Sequence, residues 1–337
     1  MKETLKYLTG IAGPSGYGSK TTAEEVAQDC LSSILISSSS SHLTAIVTGA
    51  TSGIVIPARD LLKAEKVKEN IQRQNPKAEI IILEIDLSSF HSIHRFCSQF
   101  LSLGLPLHIL ISIILKFDYE LILMIVENNA GKYSQKLEFS EDKIELTFAT
   151  NYLGHFLLTE MLLGKMVETA SETCIQGRIV NVSSVIHNWA NSKNFCFSKL
   201  ISPKSYNGTR AYAQSKVANI LHAKELSRQL EARKANVTIN AVHPGIVKTG
   251  IIRDYKGFIT DSFYFVASKL LKTTSQGAAT TCYVALNPLT AGVSGKYFAD
   301  CNESHCSPLA NDNFEARKLW KQTRAFIRKR FHLHFEP

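Results

Sequence analysis

The chain has 337 residues, 45% of them hydrophobic, with 38 Lys+Arg against 29 Asp+Glu for a net charge of +9. That length supports a sizeable core, and the composition excludes wholesale disorder and collagen-like or low-complexity chains. Seven bases against two acids between Phe314 and Pro337 account for +5 of the charge, so the body lacks the basic face of a nucleic-acid binder.

Residues 1–43 form a head segment. Lys2, Glu3 and Lys6 interrupt any apolar stretch, which argues against a secretory signal, and Glu24, Glu25 and Asp29 weaken a transit-peptide reading. Thr21-Thr22-Ala23-Glu24-Glu25 predicts a helix start with a threonine cap, and the serine run Ser37–Ser41 predicts a flexible linker. Thr44–Val47 is a short apolar strand entering Thr48-Gly49-Ala50-Thr51-Ser52-Gly53-Ile54. Ile80–Glu84 is a second buried strand, ending at Asp86-Leu87. Residues 105–126 are long enough to span a bilayer. Lys116, Asp118 and Glu120 fall inside them, at about 2.5–3.5 kcal/mol for each Lys or Asp on insertion scales, so the stretch reads as two apolar runs without a membrane span. Ile179–Ser184 and Val237–Val242, the latter ending at His243-Pro244-Gly245, are further strands, and Ala211–Gln229 is helical. Strands alternating with helices predict a parallel sheet in an α/β domain. Seven cysteines without a CxxC pair predict reduced thiols, and Cys301, His305 and Cys306 lack the further ligands of a zinc site, so no metal is expected. Phe314–Phe331 repeats apolar residues at helical spacing with a basic opposite face. That pattern suits a solvated helix packed on its own domain, or one that binds calmodulin or an anionic membrane surface peripherally.

Chemistry concentrates in a few positions. Tyr212 and Lys216 share one face of a helix at i, i+4, where an ammonium favours the phenolate and lowers the phenol pKa from about 10, suiting the tyrosine to acid/base work. Alone, such a pair is ordinary helix surface. Ser184 ends a buried strand, where a hydroxyl can bind a substrate carbonyl. Asn151 lies in Asn-Tyr-Leu-Gly-His, and the glycines after the first strand let backbone amides approach a pyrophosphate.

With Asn128-Asn129-Ala130-Gly131 and Pro244-Gly245…Thr249 added, these motifs stand in the order of the short-chain dehydrogenase/reductases, which the chain resembles from about Thr44 to Trp320. The 28-residue separation of Ser184 from Tyr212 and the run Arg210–Asn219 resemble the retinol-dehydrogenase-like branch. The head, with Gly13-Pro14-Ser15-Gly16 and Thr22–Val26, resembles plant members associated with the chloroplast inner-envelope import translocon. The resemblance implies a doubly wound α/β (Rossmann-type) domain over 44–312, flanked by the head and by a basic helix over 313–337. It implies an NADP(H)-dependent oxidoreductase acting on a small, lipophilic carbonyl or alcohol, inside the cell in the cytoplasm or the chloroplast. Tyr212 would be the acid/base and Lys216 would also bind the nicotinamide ribose. Ser184 would hold the substrate oxygen, and Asn151 a proton-relay water. Gly49, Ser52, Gly53 and Ile54 would form the phosphate loop. Arg59 would meet the 2′-phosphate, Asp86 and Leu87 the adenine, Asn128 and Ala130 the adenosine side, and Pro244, Gly245 and Thr249 the nicotinamide. Residues 246–275, rich in Phe, Ile and Tyr, would cover the substrate. The calmodulin partner of the tail is likewise implied by the likeness.

Two departures stand out. Where the family has a third glycine and a crossover helix, this chain runs Gly53-Ile54-Val55-Ile56-Pro57-Ala58-Arg59. A parallel crossover needs about a dozen residues, so Ile54–Ala58 cannot both end the phosphate loop and run beside the first strand in the usual way. Secondly, the 16 residues 112–127 are extra before Asn128. Either Leu107–Ile111 is the fourth strand and the insertion follows it, or Leu121–Val126 is the strand and the insertion precedes it. The lost block and the gained block together have the form of a skipped exon and a retained intron, or of a divergent isoform. A non-catalytic protein acting through its basic tail is the rival reading.

Overall fold

The computed structural model describes residues 7–37, 45–47, 54–74, 76, 78–112, 132–247 and 271–331. Eight strands form one sheet in the order β3-β2-β1-β4-β5-β6-β7-β8. They are β1 (Ala45–Val47), β2 (Ile54–Ala58), β3 (Ile80–Glu84), β4 (Ile109–Ser112), β5 (Gly177–Val182), β6 (Val237–His243), β7 (Tyr297–Ala299) and β8 (Asn302–Glu303). All neighbours pair parallel except β7 with β8. The strand order reverses between β1 and β4, and the crevice at the carboxyl ends there is where open α/β sheets bind ligands.

Alternate residues point to opposite faces, as the pleat requires. Ile54, Ile56, Ile109, Ile111, Val180, Val182 and Val242 share one core with the helices α1 (Ala23–Ser37), α2 (Leu61–Gln74) and α7 (Thr274–Leu286). Val55, Leu110, Ile179, Ile239 and Ala241 share the other with α3 (Phe90–Ser102), α4 (Gly154–Thr173), α6 (Gly208–Ala232) and α8 (Asn313–Phe331). The short α5 (Phe197–Ile201) packs against the second core through Phe197 and Leu200.

The head helix starts as its sequence predicts. Thr22 Oγ1 accepts from the Glu25 amide while the Glu25 carboxylate accepts from the Thr22 amide, a reciprocal cap. It then buries Ala23, Val26 and Cys30 against α7. Before it, the Ser15 amide donates to Asn302 Oδ1 at 3.0 Å and Asn302 Nδ2 donates to the Tyr17 carbonyl at 3.0 Å, tying the head to β8.

Both departures leave marks. β2 pairs parallel with β1, Ala45 opposite Ile54, with only residues 48–53 between the two strands. This resolves the conflict over Ile54–Ala58 in favour of a strand and corrects one assignment. Ile54 opens β2 at the end of the sheet away from the crevice, is buried in the core, and is no phosphate-loop residue. β4 begins at Ile109 and pairs with both β1 and β5, so the fourth strand ends at the first residue of the 112–127 block and the insertion does not come before it. Residues 113–131 and 248–270, the latter most of the expected substrate cover, lie outside the described residues. Among the described residues, no helix is long and apolar enough to cross a membrane.

The tail helix α8 turns its apolar face inward. Ala316, Leu319, Thr323 and Ile327 are buried, Tyr152 Oη hydrogen-bonds Thr323 Oγ1 at 2.9 Å, and Arg324 pairs with the buried Glu160 at 2.9 Å. The packed-helix reading is the one found.

Candidate active site

Ser184 follows β5 at its carboxyl end and caps the 3₁₀ turn Val185–Trp189, its Oγ accepting from the Ile186 amide at 3.4 Å. A hydroxyl has one proton and two lone pairs, so its O–H stays available to an incoming oxygen. Helix α6, capped by Asn207, is stitched to this strand end. Ser183 Oγ donates to the Lys216 carbonyl at 2.8 Å, Asn219 Nδ2 to the Val182 carbonyl at 3.0 Å, and Lys216 Nζ to the same carbonyl at 3.2 Å. The i, i+4 spacing predicted for Tyr212 and Lys216 is realised, with the ammonium 5.3 Å from the Tyr212 ring centroid. Tyr133, which sequence reasoning did not single out, stacks edge-on against Tyr212 at 5.8 Å.

Lys216 is 3% exposed, and no ion pair joins it among the described residues. Burial pushes its pKa down from 10.5 to about 7. Asn151 sits in a π-turn, Ala149–Leu153, that leads into α4. Such turns carry one residue more than the α-helix and are frequent at functional sites. This one aims Asn151 Nδ2 at the Lys132 carbonyl (3.2 Å) and Ser215 Oγ (3.0 Å), leaving its buried Oδ1 without a partner among the described residues. An unpaired buried acceptor suits a water or substrate hydroxyl.

Toward the crevice, Pro244 and Gly245 leave β6, and Gly245 takes φ +94° with the Lys272 side chain packed across it. Lys272 Nζ pairs with Asp300 at 2.6 Å. Asp86 and Leu87 follow β3, where Asp86 Oδ1 accepts from the Ser88 amide and hydroxyl. A side chain at Gly154 would collide with the Leu87 carbonyl oxygen, so that glycine lets the 86–89 loop rest on α4. Arg59 is exposed at the exit of β2. Gly49, Ser52, Gly53, Asn128, Ala130 and Thr249 lie outside the described residues.

Two histidines escaped the sequence reading. His187 is fully buried; its Nδ1 meets the Ser184 carbonyl at 2.6 Å and its Nε2 the Ser307 amide at 3.1 Å. His243 Nδ1 meets the Val185 amide at 3.3 Å. The spacing Ser184-x-x-His187 and the pair His243-Pro244 were the available signals.

A buried lysine thus lies beside Tyr212 and donates to the end of the strand that leads to Ser184, while Asn151, in its π-turn, reaches Ser215 of the same helix. The profile of the short chain dehydrogenases matches residues 43–257. The chain is 43% identical over 333 residues to the Brassica napus short-chain dehydrogenase TIC 32 B, chloroplastic, covering 94% of this chain and 96% of that one. It is 35% identical over 307 residues to human retinol dehydrogenase 14, covering 82% and 84%. Among solved structures, the NADPH-dependent reductase YwfH of bacilysin biosynthesis superposes with a TM-score of 0.55 at 19% identity, covering 77% of this chain and 96% of that one. Pseudomonas aeruginosa RhlG, solved as an NADP active-site complex, gives 0.54 at 19%, covering 78% and 95%. Sequence motifs, sheet order and these likenesses agree that the chain belongs to the short-chain dehydrogenase/reductase family, oxidoreductases that use a nicotinamide cofactor.

Proposed function

We propose that the protein is an NADP(H)-dependent oxidoreductase that interconverts a lipophilic carbonyl compound and its alcohol. The observation that carries this is Lys216. A cation buried without a carboxylate is costly, and here it lies one helical turn from a tyrosine and beside the strand end bearing Ser184. The residues fit the cofactor at the ends of β2, β3 and β6. Arg59 at the exit of β2 suits a 2′-phosphate, Asp86 and Leu87 border the adenine position, and Pro244 and Gly245 at the end of β6 border the nicotinamide position. The bound cofactor supplies or accepts the hydride. Gly49, Ser52, Gly53, Asn128, Ala130 and Thr249 complete this assignment.

In the reducing direction, Ser184 donates a hydrogen bond to the substrate carbonyl oxygen. Tyr212 passes its proton to that oxygen as the carbon accepts the hydride, giving the alcohol. Lys216 steadies the phenolate left behind and Asn151 holds a water that returns the proton. The lipophilic substrate is supported by Val185 and Ile246, apolar side chains left exposed directly after Ser184 and Gly245. The likeness to a chloroplastic relative supports a chloroplast location.

The test is NADPH oxidation with medium-chain aldehydes and retinal. Tyr212→Phe is expected to abolish turnover while leaving NADPH binding intact; turnover unchanged in that variant refutes the assignment. One observation favours a non-catalytic reading, namely that only six residues connect β1 to β2. NADPH binding separates the two, since the rival expects none.

A further inference from the structure

The peptide unit between Ser184 and Val185 is held at both ends by imidazoles from different parts of the chain. Its carbonyl oxygen meets His187 Nδ1 at 2.6 Å and also accepts the His187 backbone amide at 3.1 Å. Its N–H points to His243 Nδ1 at 3.3 Å. The partners dictate the ring protons, since a carbonyl only accepts and a backbone amide only donates. The Ser307 amide therefore donates to a bare His187 Nε2, and the His187 proton sits on Nδ1, facing the Ser184 carbonyl. His243 must be bare at Nδ1 to accept from Val185, so its proton sits on Nε2. Both rings are neutral with opposite tautomers. Burial lowers the pKa of each, which keeps them so. The His187 ring is further fixed edge-on against Tyr297, 5.0 Å between centroids.

We infer that His187 and His243 are positioning residues that clamp the Ser184–Val185 peptide and so set where the Ser184 hydroxyl meets the substrate oxygen. The inference rests on the reading of Ser184 given above. Ser184 sits between a strand end and a single 3₁₀ turn, where few backbone contacts fix the chain. A serine that must meet a reacting oxygen needs its backbone held, because displacing a reacting group by about 1 Å costs about 100-fold in rate. One ring comes from the turn after β5 and is held by the 307 segment. The other comes from the end of β6, directly before the Pro244-Gly245 strip, so the clamp also couples Ser184 to the cofactor side of the site.

The test has two arms on the full chain. Ring ¹⁵N shifts should show His187 protonated at Nδ1 and bare at Nε2, and His243 the reverse. The same tautomer on both, or either ring doubly protonated at pH 7, overturns the clamp. In carbonyl reduction, His187→Phe and His243→Leu should each lower kcat by about 100-fold with KM for NADPH unchanged. Asn at either position, which places an amide group near the lost Nδ1, should restore most of the loss. A His243→Leu enzyme with full kcat, or Asn variants no better than Phe and Leu, refutes the positioning role. A parent chain without turnover would refute the proposed reaction and not the clamp, which the tautomers and the Val185 amide shift in His243→Leu still decide; an unmoved shift refutes it.

Discussion

Lys216→Met is the most informative single change, because it should raise stability while it removes function. Burial lowers the lysine from 10.5 to about 7 in the folded chain. The difference, 10.5 − 7 = 3.5 units, corresponds at about 1.4 kcal/mol per unit to roughly 5 kcal/mol of penalty for holding the ammonium in the fold. The hydrogen bond to the Val182 carbonyl, worth about 1 kcal/mol net, is lost in the variant. A net gain of about 3–4 kcal/mol is expected at pH 6, a large share of a typical 5–15 kcal/mol domain stability. Between about pH 7 and 10.5 the folded parent binds fewer protons than its unfolded chain, so parental stability rises with pH. Below about 7 the penalty is present in full; above 10.5 it is gone. The advantage of Lys216→Met should therefore be greatest at pH 6, shrink through pH 7–9.5, and vanish at about pH 9.8, where the remaining penalty equals the lost hydrogen bond. Urea unfolding of both chains without cofactor at pH 6, 7.5 and 9 measures it. A difference that does not vary with pH, or a variant less stable at pH 6, would show that the lysine is solvated and that the argument from burial is wrong.

Gly154→Ala should lower stability by about 1–3 kcal/mol through overpacking against the Leu87 carbonyl, read as a lowered urea midpoint with unchanged slope. A 314–334 peptide should bind calcium-loaded calmodulin with a shift in Trp320 fluorescence, whereas the full chain should not, because Leu319 and Ile327 are buried in the fold; equal binding by both would mean that the tail undocks freely. Inserting a family-like helix between Gly53 and Ile54, the position that leaves β2 whole, should tighten NADPH binding in calorimetry by restoring a helix N-terminus to the phosphates; equally tight binding by the unrepaired chain would show that the short connection is tolerated.

The parts legible in the sequence were those with long patterns. Ile80–Glu84 has the observed bounds because an apolar run bracketed by polar residues leaves little choice, and α6 extends the predicted Ala211–Gln229 by three residues at each end. β7 and β8, three and two residues long, carry no periodicity to read. Ile54 was misplaced because glycine spacing suggests a loop, while the β-branched run Ile54-Val55-Ile56 belongs to a strand and finds partners on both sides. Spacing could bring Tyr212 and Lys216 onto one face. It could not show that Asn151 needs a π-turn, nor that His187 and His243 converge on one peptide, since those depend on contacts between segments 58 to 120 residues apart.

The head is tied to segments of the chain made 252 to 287 residues later. Ser15 and Tyr17 find their partner in Asn302, and the Ala23 amide finds Ser275. At about 5–20 residues per second, the ribosome needs roughly 15–60 s to travel from the first of these positions to the last. Until α7 has been made, Ala23, Val26 and Cys30 have nothing to cover them, and β8 follows later still. The head therefore cannot dock fully before synthesis has passed Asn302. Until then its apolar stripe is open to whatever chaperone or receptor meets the nascent chain first.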